Sequence, residues 1–162
     1  MTAELESKIS MLRHTVATLA YRGGKTLRGV TAECASFRAA PDIRTPAEIL
    51  AHIGDLLDWA LVMADGKFEW HDSAPVPWEE GTARFHDALA AFDQRLASGE
   101  ALKVPAEKLF QGPIADALTH VGQIAILRRM AGRPIRGENY FKADIVAGRT
   151  GPDQTPARKE FD

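Results

Sequence analysis

Apolar positions recur along this chain at spacings of three and four, the rhythm of a helix with one face buried against a core. Leu5, Ile9, Leu12, Val16 and Leu19 open the pattern. Gly23 and Gly24 follow in "YRGGKT" and predict the end of that first helix. A long connection to Asp42 comes next, with a helical turn near Thr31 to Ser36. The second helix has a sharper start: Thr45 suits the N-cap, Pro46 the first helical position and Glu48 the third, a capping box. Ile49, Ile53, Leu56, Ala60 and Met63 form its stripe, and Gly66 ends it. After the loop "KFEWHDSAPVPW", a third helix is predicted from Trp78 to about Ser98, with Phe85, Leu89, Phe92 and Leu96 inward and Gly99 as its stop. A short helix is expected over Pro105 to Phe110. The fourth long helix opens at "GPIADAL" with Pro113 in its first turn, and Gly132 and Pro134 close it. Its inward face holds Ile114, Ala117, Val121, Ile124 and Leu127 or Arg128. The tail from Gly137 is mostly irregular, with one short helix around Tyr140 to Val146.

No segment alternates as a strand would. The expectation is an all-α chain, a four-helix bundle forming a single domain over residues 1–162, with a long connection between its first two helices. Those two helices need not be antiparallel neighbours. The composition, 45% hydrophobic and 26% charged, is that of an ordinary globular protein. A net charge of -2 argues against a broad nucleic-acid surface. The single Cys34 forms no internal disulfide, which fits a reducing cytoplasm, and no apolar run is long enough for a membrane span. The opening residues lack the apolar core of a secretory signal, so a cytoplasmic location is expected.

The candidate chemistry lies in two histidines. His52 falls on the stripe between Ile49 and Leu56, and His120 lies beside the inward face of the fourth helix. Asp116 precedes His120 by four residues, a spacing that puts both side chains on one helical face about 6 Å apart. His52, Asp116 and His120 together make two imidazoles and a carboxylate with positions left open, the pattern of a catalytic rather than a closed structural metal site. Zinc, nickel and iron all suit it. A single histidine on a helix is more commonly structural, and spacing alone leaves that reading open. A dinuclear ferritin-like site would need Glu-x-x-His on two helices, which the chain lacks. Glu48, four before His52, is a candidate to orient it, in competition with its capping role. His14 is expected to be solvated and His86 half exposed, while His71 in its loop has no assigned place. Arg128, Arg129, Arg133 and Arg136 read either as compensation of the helix dipole or as an anchor for an anionic substrate. The "YRGGKT" glycines lack the spacing and the preceding strand of a phosphate loop. Cys34 reads as a buried small residue, and Trp59, Trp70, Trp78, Tyr140 and Phe141 as core or loop packing, some of them lining a pocket.

The stretches "TPAEILAHIGDLLDWAL" and "HVGQIAILRRMAGRPI" resemble the DinB/YfiT-like family of small bacterial metal-binding helical bundles. There, a histidine in the second helix joins an H-x-x-x-H pair in the fourth. His52 matches the first and His120 the last, while Asp116 stands where the family has a histidine. The resemblance implies a DinB-like fold with His52, Asp116 and His120 around a divalent transition metal, and a homodimer. It further implies a metal-dependent enzyme that activates a low-molecular-weight thiol, a thiol S-transferase with a small-molecule thiol and an electrophile as partners. The contrasting expectation is a non-enzymatic stress-response or interaction domain whose metal site is degenerate.

Overall fold

A computed structural model describes residues 2–161. It is helical throughout its regular structure: α1 (Ala3–Leu27), α2 (Ala32–Ala35), α3 (Pro46–Ala64), α4 (Trp78–Ala97), α5 (Ala106–Leu109) and α6 (Ala115–Met130). The four long helices α1, α4, α3 and α6 pack in that cyclic order, which sets α1 and α3 diagonally across one core. Val16, Leu19, Ile53, Leu57, Phe85, Leu89, Phe92, Ile114 and Ile124 are fully buried within it. No described residue belongs to a strand; one isolated antiparallel bridge joins Glu138 to Glu160. None of the helices is long and apolar enough to cross a membrane.

Most boundaries follow local chemistry. Thr45 caps α3, its side chain accepting from the Glu48 N–H while the Glu48 carboxylate accepts from the Thr45 N–H. Thr31 caps α2 in the same way through Cys34, and Cys34 itself is buried. Gly66, Gly99 and Gly132 sit just beyond helix ends at φ of 75°, 77° and 73°, a left-handed backbone that favours glycine.

Three boundaries depart from expectation. Gly23 and Gly24 lie inside α1, which runs on to Leu27 before Gly29 turns it at φ 68°. Gly23 serves packing, because a Cβ there would stand 2.4 Å from Cζ of the Phe85 ring of α4. The helix at Pro113 is no fresh start either. α5 passes through a π-helical turn (Phe110–Ile114) directly into α6. Proline has no N–H to give and its ring crowds the preceding turn, and the wider turn accommodates both. In the tail only Tyr140–Lys142 is helical, as one 3-10 turn. The rest lies back along α1 and α4. The Glu138 carboxylate is buried and accepts from Tyr21 Oη at 2.6 Å and Lys25 Nζ at 2.7 Å. His86, expected half exposed, is buried, and its Nδ1 donates to the Thr150 carbonyl at 2.8 Å. Phe141 packs on nothing and is almost fully exposed.

The two adjacent glycines separate packing from propensity. A Cβ on Gly24 would meet His86 Cε1 at 3.4 Å, an ordinary contact. Gly24→Ala is expected to raise stability by about 0.5–1 kcal/mol through helix propensity. Gly23→Ala is expected to lower it by about 1–3 kcal/mol through overpacking. Urea denaturation of both variants checks this, and equal effects would refute the packing role of Gly23.

Candidate metal centre

α3 and α6 pack side by side, and the three expected residues meet along their seam. His52 projects from the middle of α3, and Asp116 and His120 from successive turns of α6. One donor atom from each lies within 4.8 Å of the others. His120 Nε2 is 3.4 Å from Asp116 Oδ1, and His52 Nε2 is 3.9 Å from Asp116 Oδ2. The two imidazole rings stand edge to face with centroids 4.7 Å apart. An ion bound tetrahedrally at about 2.1 Å from each donor spaces the donors about 3.4 Å apart. The Asp116–His120 pair stands at that separation, and His52 Nε2 lies about half an ångström beyond it from Asp116 Oδ2, at 3.9 Å.

The surroundings prepare the donors. His120 Nδ1 donates to Gln123 Oε1 at 2.8 Å. That bond commits the proton to Nδ1 and leaves the Nε2 lone pair facing the Asp116 carboxylate. Two acceptors facing each other call for a donor or a cation between them, and a proton on His120, a bridging water or a metal ion each supplies one. Burial lowers the pKa of His52, helped by His120 and Arg44 and opposed by Asp116 and Asp55. Its neutral, ligating form is thereby favoured. Trp70 packs its ring edge-on to His52 at 5.6 Å and to Trp59 at 5.7 Å, so the loop after α3 walls the site.

No family model, curated protein or solved structure matches the chain. What the site can hold therefore follows from its own donor atoms.

Glu48 and two of the clustered arginines act elsewhere. Glu48 does not touch His52; its carboxylate is used on the Thr45 N–H and on Arg38. The arginine cluster is dispersed. Arg128 is buried and donates to the Thr26 and Arg28 carbonyls at the end of α1 and to the Arg133 carbonyl. It thus caps a neighbouring helix rather than its own. Arg136 pairs with Glu160 at 3.3 Å.

A second charged group was not foreseen. Asp55, one turn beyond His52, is buried and accepts from Ser73 N at 2.8 Å, Ser73 Oγ at 2.7 Å and Arg84 Nη2 at 2.7 Å. Asp58 accepts from the same Arg84 nitrogen at 2.6 Å, and His71 Nε2 stands 3.1 Å from Asp55. Asp55, Asp58 and His71 are close enough to hold an ion. Arg84, however, already supplies the positive charge at their centre. The signal in the sequence was Gly54, since a Cβ there would stand 2.7 Å from Arg84 Cζ. Its helical position records where a guanidinium lies across α3.

This network ties the loop at Ser73 to α3. Burial raises the Asp55 pKa, but the Ser73 hydroxyl and N–H and Arg84 outweigh it, so the carboxyl titrates below its usual range. A group depressed in this way stabilises the fold above its unfolded pKa, about 3.9, and loses that contribution as pH falls through the lower folded value. Asp55→Asn is expected to cost about 2 kcal/mol at pH 7, and less below pH 4. Urea denaturation at the two pH values measures it, and a cost that does not shrink in acid would refute the role.

Proposed function

We propose that this protein is a DinB-like metal-binding bundle in which His52, Asp116 and His120 hold one divalent transition ion, zinc, nickel or iron. The observation that carries this is the facing pair of acceptors, Asp116 Oδ1 and His120 Nε2, with the other ring nitrogen committed to Gln123. The rest of the donor set fits. Neutral imidazole suits all three metals, and the carboxylate favours the harder among them. Three protein donors leave positions open for a ligand.

Bound there, a divalent ion would lower the pKa of a low-molecular-weight thiol so that its thiolate forms at neutral pH. The reading is therefore a metal-dependent thiol S-transferase acting on a small electrophile. The chain's own residues would do the positioning. Gln123 fixes the His120 tautomer, Trp70 holds the His52 ring, and the Asp55–Ser73 clamp keeps the Trp70 loop against α3. Open space lies on both sides of the donors. A polar cavity of about 340 Å³ includes His52, and an apolar groove of about 860 Å³ includes His120 and Gln123.

Metal analysis of protein purified without chelators tests the reading. About one ion per chain is expected. His120→Ala is expected to lose it with helical circular dichroism intact, and Asp116→His to retain it. Gln123→Ala should weaken the affinity about 10- to 100-fold. Full metal content in His120→Ala would overturn the ligand assignment, and a metal-free wild type would favour the non-enzymatic interaction domain.

A further inference from the structure

The polar cavity beside His52 and the apolar groove beside His120 share one lining residue, Arg44. It stands just before the α3 N-cap, at the point where the two spaces meet the donor set. The groove follows α6 from His120 to Met130, with Ile49 and Leu127 buried in its wall and Ile43, Ile126 and Met130 exposed along it. At about 860 Å³ it is of small-molecule size. Among the described residues, Arg44 is the only Lys, Arg, Asp or Glu that lines it.

The other arginines nearby are in use. Arg38 donates to the Ile43 carbonyl at 2.6 Å and to Glu48 at 2.7 Å. Arg84 is held between Asp55 and Asp58. Arg44 has no hydrogen-bond or ion-pair partner among the described residues. A planar fork of donors at the head of an apolar groove fits a carboxylate carried on an apolar body.

We propose that the site takes a monocarboxylate with a hydrocarbon body, its carboxylate on Arg44 beside His52 and its body in the groove along α6. This names the ligand class for the metal reading above. Binding itself depends on Arg44 and the groove, so the two can fail separately.

Octanoate is the probe, with 1-octanol and butyrate as controls, measured by calorimetry on protein as purified and after chelation. Octanoate is expected to bind more tightly than butyrate. Arg44→Gln should weaken octanoate about tenfold or more, the value of a lost charge-assisted bond, while sparing 1-octanol. Ile126→Ser should weaken octanoate and spare butyrate. Arg44-dependent octanoate binding in protein without metal keeps this inference and counts only against the metal reading. Octanoate binding that Arg44→Gln does not change, in protein that holds its metal, overturns this inference alone. A dimer that Ile126→Ser dissolves, with no octanoate binding, assigns the groove to a second copy and also overturns it.

Discussion

The seam between α3 and α6 is the constraint on which the candidate site depends. Ile53, Ala117 and Val121 are buried core residues, and each directly follows one of the three donors, His52, Asp116 and His120. Packing of the core thus decides where the donors stand, one residue or about 100° round each helix from the apolar contacts. Helix packing is close to crystalline in density, so the seam cannot slide without opening voids. The converse also holds. An ion that binds the folded chain alone would stabilise the seam by mass action.

Around this seam the charges are distributed unevenly. The buried Asp55 is satisfied by Ser73 and Arg84, and Asp58 shares the same guanidinium. Arg128 is used on carbonyls at the end of α1, where burial would otherwise leave acceptors without donors. Those groups are complete within the fold. The seam is not: among the described residues no arginine pairs with the Asp116 carboxylate, which faces the His52 and His120 imidazoles. An incomplete polar group beside open space is where a ligand gains most, since the fold has left its partner unsupplied.

Much of this was legible in the sequence because it is local or periodic. The capping box at Thr45 and Glu48, the inward stripes and the shared face of Asp116 and His120 all arise within one or two turns of a helix. What could not be read depends on partners distant along the chain. Gly23 carries a strong stop signal, and only the approach of Phe85 from α4 shows why it belongs inside α1. Arg128 looks like compensation for its own helix until Thr26 and Arg28, about a hundred residues away, accept from it. Asp55 drew no expectation of its own, yet a loop serine and an α4 arginine make it a buried anchor. Pro113 reads as the start of a helix, but the wider π-helical turn keeps the helix continuous through it.

Asp116 itself has a consequence for the proposed chemistry. With three neutral imidazoles, a divalent ion would leave the centre at a charge of about +2. The aspartate reduces that by one, which weakens the pull on an incoming nucleophile and moves the preference toward harder ions. Arg44 returns a positive charge at the rim without occupying a coordination position. The attraction for an anion is then divided between two points. An ion alone draws any anion that reaches it. An ion and a guanidinium set apart select for a ligand whose charge meets the rim while another atom faces the donors. On the proposed reading, a carboxylate donor with a guanidinium at the rim, compared with a three-imidazole centre, exchanges strength at one atom for recognition at two.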